Sequence, residues 1–311
     1  MKTFWKRAMN VPAKARQPRQ AARRAAIRLG LEGLEERALL SVSSSVMMAG
    51  PYGELYVSST AADSIKISCS SSGKVKINGS NPGTGQFPCA QIAHMEVHGG
   101  PGANKIDLKG VTQAKFSPYL GTYVNGGEGN DTIYGSEFND GLIGGPGADE
   151  LYGLNGYDNL GGGVDQDNDT LDGGGGMDRL IANDDLDFIL SDSMLQGFGS
   201  DVLKSIEKAV LGGGASANLL DASAFSGEVL LVGMEGDDTL IGGAGNDILE
   251  GDADDDRLIG NGGNDTLLGG DGQDTLVGGP GADHYQGGPG VDYFDGINEL
   301  LLTSKLSVAL L

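Results

Sequence analysis

Thirteen carboxylates recur at one position of a nine-residue unit, and that spacing sets the chemistry open to this chain. Seven units run without a gap from Gly233: GMEGDDTLI, GGAGNDILE, GDADDDRLI, GNGGNDTLL, GGDGQDTLV, GGPGADHYQ and GGPGVDYFD. Their sixth residues are Asp238, Asp247, Asp256, Asp265, Asp274, Asp283 and Asp292. An upstream run from Gly126 places Asp131, Asp140, Asp149, Asp158 and Asp178 in the same position. Asp169 joins them if an eleven-residue variant, GGVDQDNDTLD, bulges by two residues. A hard divalent cation such as Ca²⁺ takes six to eight oxygens from carboxylates and backbone carbonyls. An Asp held among glycine carbonyls offers both kinds.

The glycines belong to the same chemistry. Gly127, Gly129, Gly145, Gly147, Gly236, Gly243, Gly245, Gly263, Gly270, Gly272, Gly279 and Gly281 occupy the second or fourth place of their units. Turn conformations with positive φ are cheap only for glycine, and a missing Cβ lets carbonyls approach an ion. Asp140, Asp158 and Asp256 are the weaker candidates, because GSEFND, GLNGYD and GDADDD lose loop glycines. A single Asp in such a loop reads equally well as a turn cap; thirteen in phase do not.

The elements that must position these residues follow from the remaining three places. In x-U-x, side chains alternate across a short strand. The U residues (Ile133, Leu142, Leu151, Leu160, Leu171, Leu180, then Leu240, Leu249, Leu258, Leu267, Leu276, Tyr285 and Phe294) therefore face inward and stack on the next turn. Two units make one coil with loops on opposite sides, so neighbouring loops on a side are two units apart. Counting loop pairs gives roughly five shared sites in the second array and roughly three or four in the first.

These units resemble the RTX, or hemolysin-type calcium-binding, repeat. The resemblance implies an all-β fold, a right-handed parallel β-roll, secretion, and folding that waits for Ca²⁺ outside the cell. Two further units keep the shape with Asn at the Asp position: GGPGANKID, with Asn104 and Ile106, and GGASANLLD, with Asn218 and Leu220.

Composition agrees with a ladder better than with a globule: 55 of 311 residues are glycine and 6% are aromatic. The first 37 residues hold ten Lys/Arg and three Glu, leaving 11 Lys/Arg against 40 Asp/Glu in the rest. So acidic a segment repels itself without counter-cations and disfavours nucleic acid as a partner. Folding and metal binding should be linked.

The chain divides into a basic leader (1–45), an N-terminal β region (46–125), a first array (126–181), a metal-poor β-coil spacer (182–232), a second array (233–295) and a tail (296–311). The leader has a helical pattern through Leu40, with Ile27, Leu31, Leu34 and Leu39 on one face. Its stretch Leu34-Glu35-Glu36-Arg37-Ala38-Leu39-Leu40 resembles the LEPR-XLL motif of planctomycete surface and secreted proteins, with Glu36 where that motif has Pro. That resemblance implies an extracytoplasmic destination. In the tail, Leu306, Val308 and Leu310 alternate like a capping strand, and a secretion signal or a premature end fits them equally. No integral membrane span is expected.

The N-terminal β region reads either as coils of the same solenoid or as a separate sandwich. Cys69 and Cys89 lie there and could close a loop of twenty residues. The only suggestive catalytic cluster, His94-Met95-Glu96-Val97-His98, is not H-E-x-x-H. On a strand its two histidines lie roughly 13 Å apart and cannot share an ion. Neither G-x-S-x-G nor a Walker loop occurs, so a non-enzymatic structural role is expected. Cell-surface or polysaccharide ligands are the expected further partners of an adhesin or matrix component. A fragment of a larger secreted enzyme or toxin is the remaining alternative.

Overall fold

The computed structural model describes residues 42–49, 52–80, 87–117, 120–197 and 199–295. The expected leader helix and capping strand lie outside these residues. Each repeat forms a short strand at its end, and successive units alternate between two sheets. Sheet A has twelve strands and sheet B fourteen among the described residues. Apart from a three-residue 3-10 turn at Cys89–Gln91, the described residues contain no helix.

Pairing is parallel and in register, so like residues stack on like. In sheet B, Ile106, Ile133, Leu151, Leu171 and Leu203 form one inward row. In sheet A, Val124, Leu142, Leu160 and Leu180 form the facing row. The second array repeats this with Leu220, Leu240, Leu258, Leu276 and Phe294 against Leu231, Leu249, Leu267 and Tyr285. The Leu and Ile members of these rows are buried, whereas Tyr285 and Phe294 in the last coils are only partly so. Full burial of one such side chain stabilises by about 1.5–3 kcal/mol. The ladder gains this term once per strand without needing a wide core.

The N-terminal β region belongs to the same roll rather than to a sandwich. Tyr52–Ser58, Ile92–His98 and Gly121–Asn125 continue sheet A in parallel, and Ser64–Cys69 and Lys105–Gly110 continue sheet B. Two antiparallel strands close this end: Ser43–Ala49 on sheet A and Val75–Ile77 on sheet B. Cys69 and Cys89 are disulfide-bonded, with Cα atoms 6.1 Å apart.

The spacer differs from a run of simple coils. In sheet B, Phe188–Ser191, Met194–Gln196 and Ser200–Lys204 form an antiparallel meander between Thr170–Gly176 and Leu219–Ala224. Sheet A inserts only Lys208–Gly212 over the same interval. The inward row of sheet A also steps here: Ala209 pairs with Val229, yet Leu249 pairs with Leu231, two residues further on. A shift of two keeps every side chain on its own face, because the strand period is two.

Candidate metal centres

The loops stack more tightly than side chains would permit. A Cβ on Gly145 would overlap the Gly127 carbonyl of the preceding coil, and one on Gly263 the Gly245 carbonyl. Gly127, Gly129, Gly145, Gly147, Gly236, Gly263, Gly270, Gly272 and Gly279 all have positive φ. Gly243 and Gly245 do not share that conformation, yet a Cβ on either would still overlap a carbonyl, as would one on Gly281. Where glycine is absent, another residue takes the strained turn: Leu154 (φ 81°), Asp252 (φ 78°) and Asp254 (φ 77°). That keeps Asp158 and Asp256 placed like the other aspartates, despite their glycine-poor loops.

Stacking the loops brings the aspartates into two rows, one on each side of the roll. Along each row the backbone N–H of one Asp donates to Oδ1 of the Asp two units on. Asp131 donates to Asp149 at 2.6 Å, Asp149 to Asp169 at 2.8 Å, and Asp140 to Asp158 at 2.8 Å. Asp238, Asp256, Asp274 and Asp292 form one such row in the second array, and Asp247, Asp265 and Asp283 the other. The bulged variant fits, because Asp169 accepts from Asp149 like any regular unit. The Asn units start two of the rows, with the N–H of Asn104 donating to Asp131 and that of Asn218 to Asp238.

The other carboxylate oxygen decides what the rows can do. Oδ2 of Asp131, Asp149, Asp158, Asp178, Asp238, Asp256, Asp265 and Asp274 is buried and makes no hydrogen bond. It faces the first glycine of its own loop. A Cβ on Gly126 would overlap Asp131 Oδ2 and lie 2.5 Å from the Gly144 carbonyl; one on Gly260 would overlap Asp265 Oδ2 and lie 2.7 Å from the Gly278 carbonyl. Each such place thus joins an unpartnered carboxylate oxygen to a carbonyl of the next coil. First-position glycines were not among the ligand candidates, although every unit begins with one.

Asp140 and Asp247, by contrast, have both oxygens engaged. Asp140 accepts from the Ser136 backbone, the Ser136 hydroxyl and the Thr122 hydroxyl. Asp247 accepts from the N–H groups of Gly243 and Val229. Both act as row caps here. Asp283 and Asp292 sit in the last described coils and are less buried than the rest.

Burial raises the pKa of these carboxyls. Asp149 and Asp158 are pushed up to about 8, Asp140, Asp169 and Asp256 to about 7, and Asp238 and Asp265 to about 6. Desolvation is the main cause, and for all but Asp140 neighbouring carboxylates add to it. A carboxylate with one unpartnered oxygen in such a place calls for a cation or a proton. Among the described residues no three His, Cys, Asp or Glu side chains converge. A cation held here therefore relies on backbone carbonyls with one or two carboxylates, a donor set that suits Ca²⁺.

The comparison with known families follows the same geometry. Four segments match the RTX calcium-binding nonapeptide repeat. They are residues 125–160, 164–193, 230–258 and 259–294. The RTX matches cover both rows of unpartnered aspartates and leave residues 194–229, with two of the three meander strands, between them. No curated protein matches the chain.

Two further features were not read from the sequence. Asp201 accepts from Asp169 at 3.0 Å, and Glu207 from Asp178 at 2.8 Å, so both extend rows from outside the repeats. Fifth-position side chains form an outer ladder: Asn139 accepts from Tyr157, Asn246 from Asn264, and Asp255 from Gln273. Asn or Asp at position five of most units was the available signal. The His94–His98 strand carries no metal cluster. His94 is exposed, while His98 pairs with Glu96 at 2.8 Å and lies beside the Tyr56 and Tyr123 rings.

Proposed function

We propose that this chain is a secreted or surface-attached calcium-binding β-roll whose repeats fold on Ca²⁺ and are stiffened by it, with a structural rather than catalytic role. The observation that carries this reading is the set of eight buried, unpartnered Asp Oδ2 atoms, each beside a glycine carbonyl or its equivalent. The proposed ligands are those oxygens together with the loop carbonyls. Asp140, Asp169, Asp247, Asp283 and Asp292 complete the rows.

Bound Ca²⁺ supplies the positive charge that offsets carboxylate repulsion within and between the loops. The chain's own residues do the rest. Oδ1 atoms tie coil to coil, glycines permit close stacking, and the inward Leu rows set the strand register. An extracytoplasmic destination follows from the leader's resemblance to a sorting motif, and it fits the acidic composition of the roll. Among the described residues no helix is long and apolar enough to cross a membrane.

Circular dichroism of chelator-treated protein tests the proposal. Adding Ca²⁺ should raise the β signal and reduce the hydrodynamic radius; a full signal and compact radius before addition would refute Ca²⁺-driven folding.

An adhesin or matrix component is a second reading, favoured by the outer face of the N-terminal coils. Tyr52 and Tyr56 are exposed there, and Tyr56, His98 and Tyr123 form a continuous ring row. Binding to cells or polysaccharide that survived Tyr56→Ala with Tyr123→Ala would remove that support.

A further inference from the structure

The row that runs Asp140, Asp158, Asp178 does not stop at the last repeat. Its next loop is Ser205-Ile206-Glu207, which links Ser200–Lys204 in sheet B to Lys208–Gly212 in sheet A. This loop is three residues long and lies outside the family matches. Nothing in its sequence resembles a repeat. It nevertheless supplies each part that a repeat supplies. Glu207 Oε2 accepts the Asp178 N–H at 2.8 Å, the bond that Asp178 Oδ1 makes to Asp158 N–H at 2.9 Å. The backbone is in the repeat's register here, since the Lys208 N–H donates to the Asp178 carbonyl at 3.0 Å as the Arg179 N–H donates to that of Asp158 at 2.8 Å.

The carbonyl is supplied as well. A Cβ on Gly153 would overlap Asp158 Oδ2 and lie 2.5 Å from the Gly173 carbonyl. A Cβ on Gly173 would lie 2.5 Å from Asp178 Oδ2 and overlap the Ser205 carbonyl. Ser205 thus supplies the carbonyl of a repeat's first glycine, although its φ of 50° lies in the left-handed region, which those glycines do not adopt. Such a backbone is costly for serine and is kept only where the surroundings require it.

Capping of the row by Glu207 satisfies the Asp178 N–H, and the Asp158 N–H engages Asp178 Oδ1. Asp178 is fully buried, and its Oδ2 has no hydrogen-bond partner. A second carboxylate at this place makes matters worse for Asp178 unless a cation lies between them. The arrangement ends at this loop. On the same side, a Cβ on Gly227 would overlap the Glu207 carbonyl and lie 2.8 Å from the Phe225 ring, with no carboxylate oxygen beside it.

We propose that Asp178 Oδ2, the Ser205 carbonyl and Glu207 form an additional Ca²⁺ site at the spacer edge of the first array. It rests on the calcium-binding reading above but uses two residues that no repeat contains. It makes the spacer a participant in metal binding and ties the meander to the first array when Ca²⁺ is present.

Native mass spectrometry of the full chain in Ca²⁺ tests it by counting ions. Glu207→Gln keeps an oxygen to accept the Asp178 N–H but removes the charge, and it changes an exposed side chain. Asp178→Asn removes the charge on the other side. Each variant should bind one ion fewer than the parent protein while keeping its Ca²⁺-induced dichroism. An unchanged count in Glu207→Gln, or loss of several ions at once, would overturn the site. If Asp178→Asn fails to fold, Glu207→Gln decides alone. A parent protein that binds no Ca²⁺ would overturn the general reading, and this site with it, which separates the two failures.

Discussion

At the scale of the residue, one carboxylate does two jobs. Oδ1 of a sixth-position Asp joins its loop to the preceding coil, and Oδ2 is buried beside a glycine carbonyl with no partner. Phase and residue type made the aspartates legible, because thirteen of them keep one position. The division of labour between their oxygens was not legible, nor was the full satisfaction of Asp140 and Asp247. Those depend on Ser136 and on the bend of the Gly242–Asp247 loop, which the repeat alone does not describe. The raised pKa values give a pH prediction. These carboxyls hold more protons folded than unfolded between about pH 4 and about pH 8. Their stabilising effect on the metal-free fold is therefore complete below about pH 4 and is lost as pH rises through the folded values of about 6 to 8. In calcium-free buffer, the β-sheet dichroism should fall as pH is raised from 5 to 8, and saturating Ca²⁺ should restore it at pH 8. A calcium-free β signal that grows over this range would show that the buried carboxyls are not protonated as described.

At the scale of the element, each strand is a short piece of three to seven residues that is stable only through its neighbours. Leu258 is fully buried and pairs with Leu240 and Leu276 on either side. Leu258→Ala should cost about 2–5 kcal/mol, the usual range for a buried leucine. Because coils contact mainly adjacent coils, the loss should concentrate in the second array. Hydrogen exchange would check this: amides in Thr239–Ile241 and Thr275–Val277 should lose protection, while those in Ile92–His98 should not. Equal loss throughout would contradict nearest-neighbour stability. The strand rows were readable because U recurs every nine residues. The meander through Met194–Gln196 was not, since its apolar runs fit a parallel coil as well as an antiparallel turn-back.

At the scale of the whole molecule, a chain rich in glycine and acid avoids needing a wide core. Two sheets run from the antiparallel cap at Ser43–Ala49 to Tyr293–Asp295, and the N-terminal coils share them. GGPGANKID signalled that continuity, because Ile106 stacks on Ile133 in the array's own register. The two-residue step near Val229 had no sequence signal, since it leaves the apolar alternation intact. Cations on this roll sit beside the unpartnered carboxylate oxygens if the calcium reading holds. Calcium anomalous scattering from crystals grown in Ca²⁺ measures that directly. The account predicts peaks about 2.3–2.6 Å from the unpartnered Oδ2 atoms, including those of Asp149, Asp158, Asp256 and Asp265. A folded roll in saturating Ca²⁺ with no peak at those oxygens would contradict it.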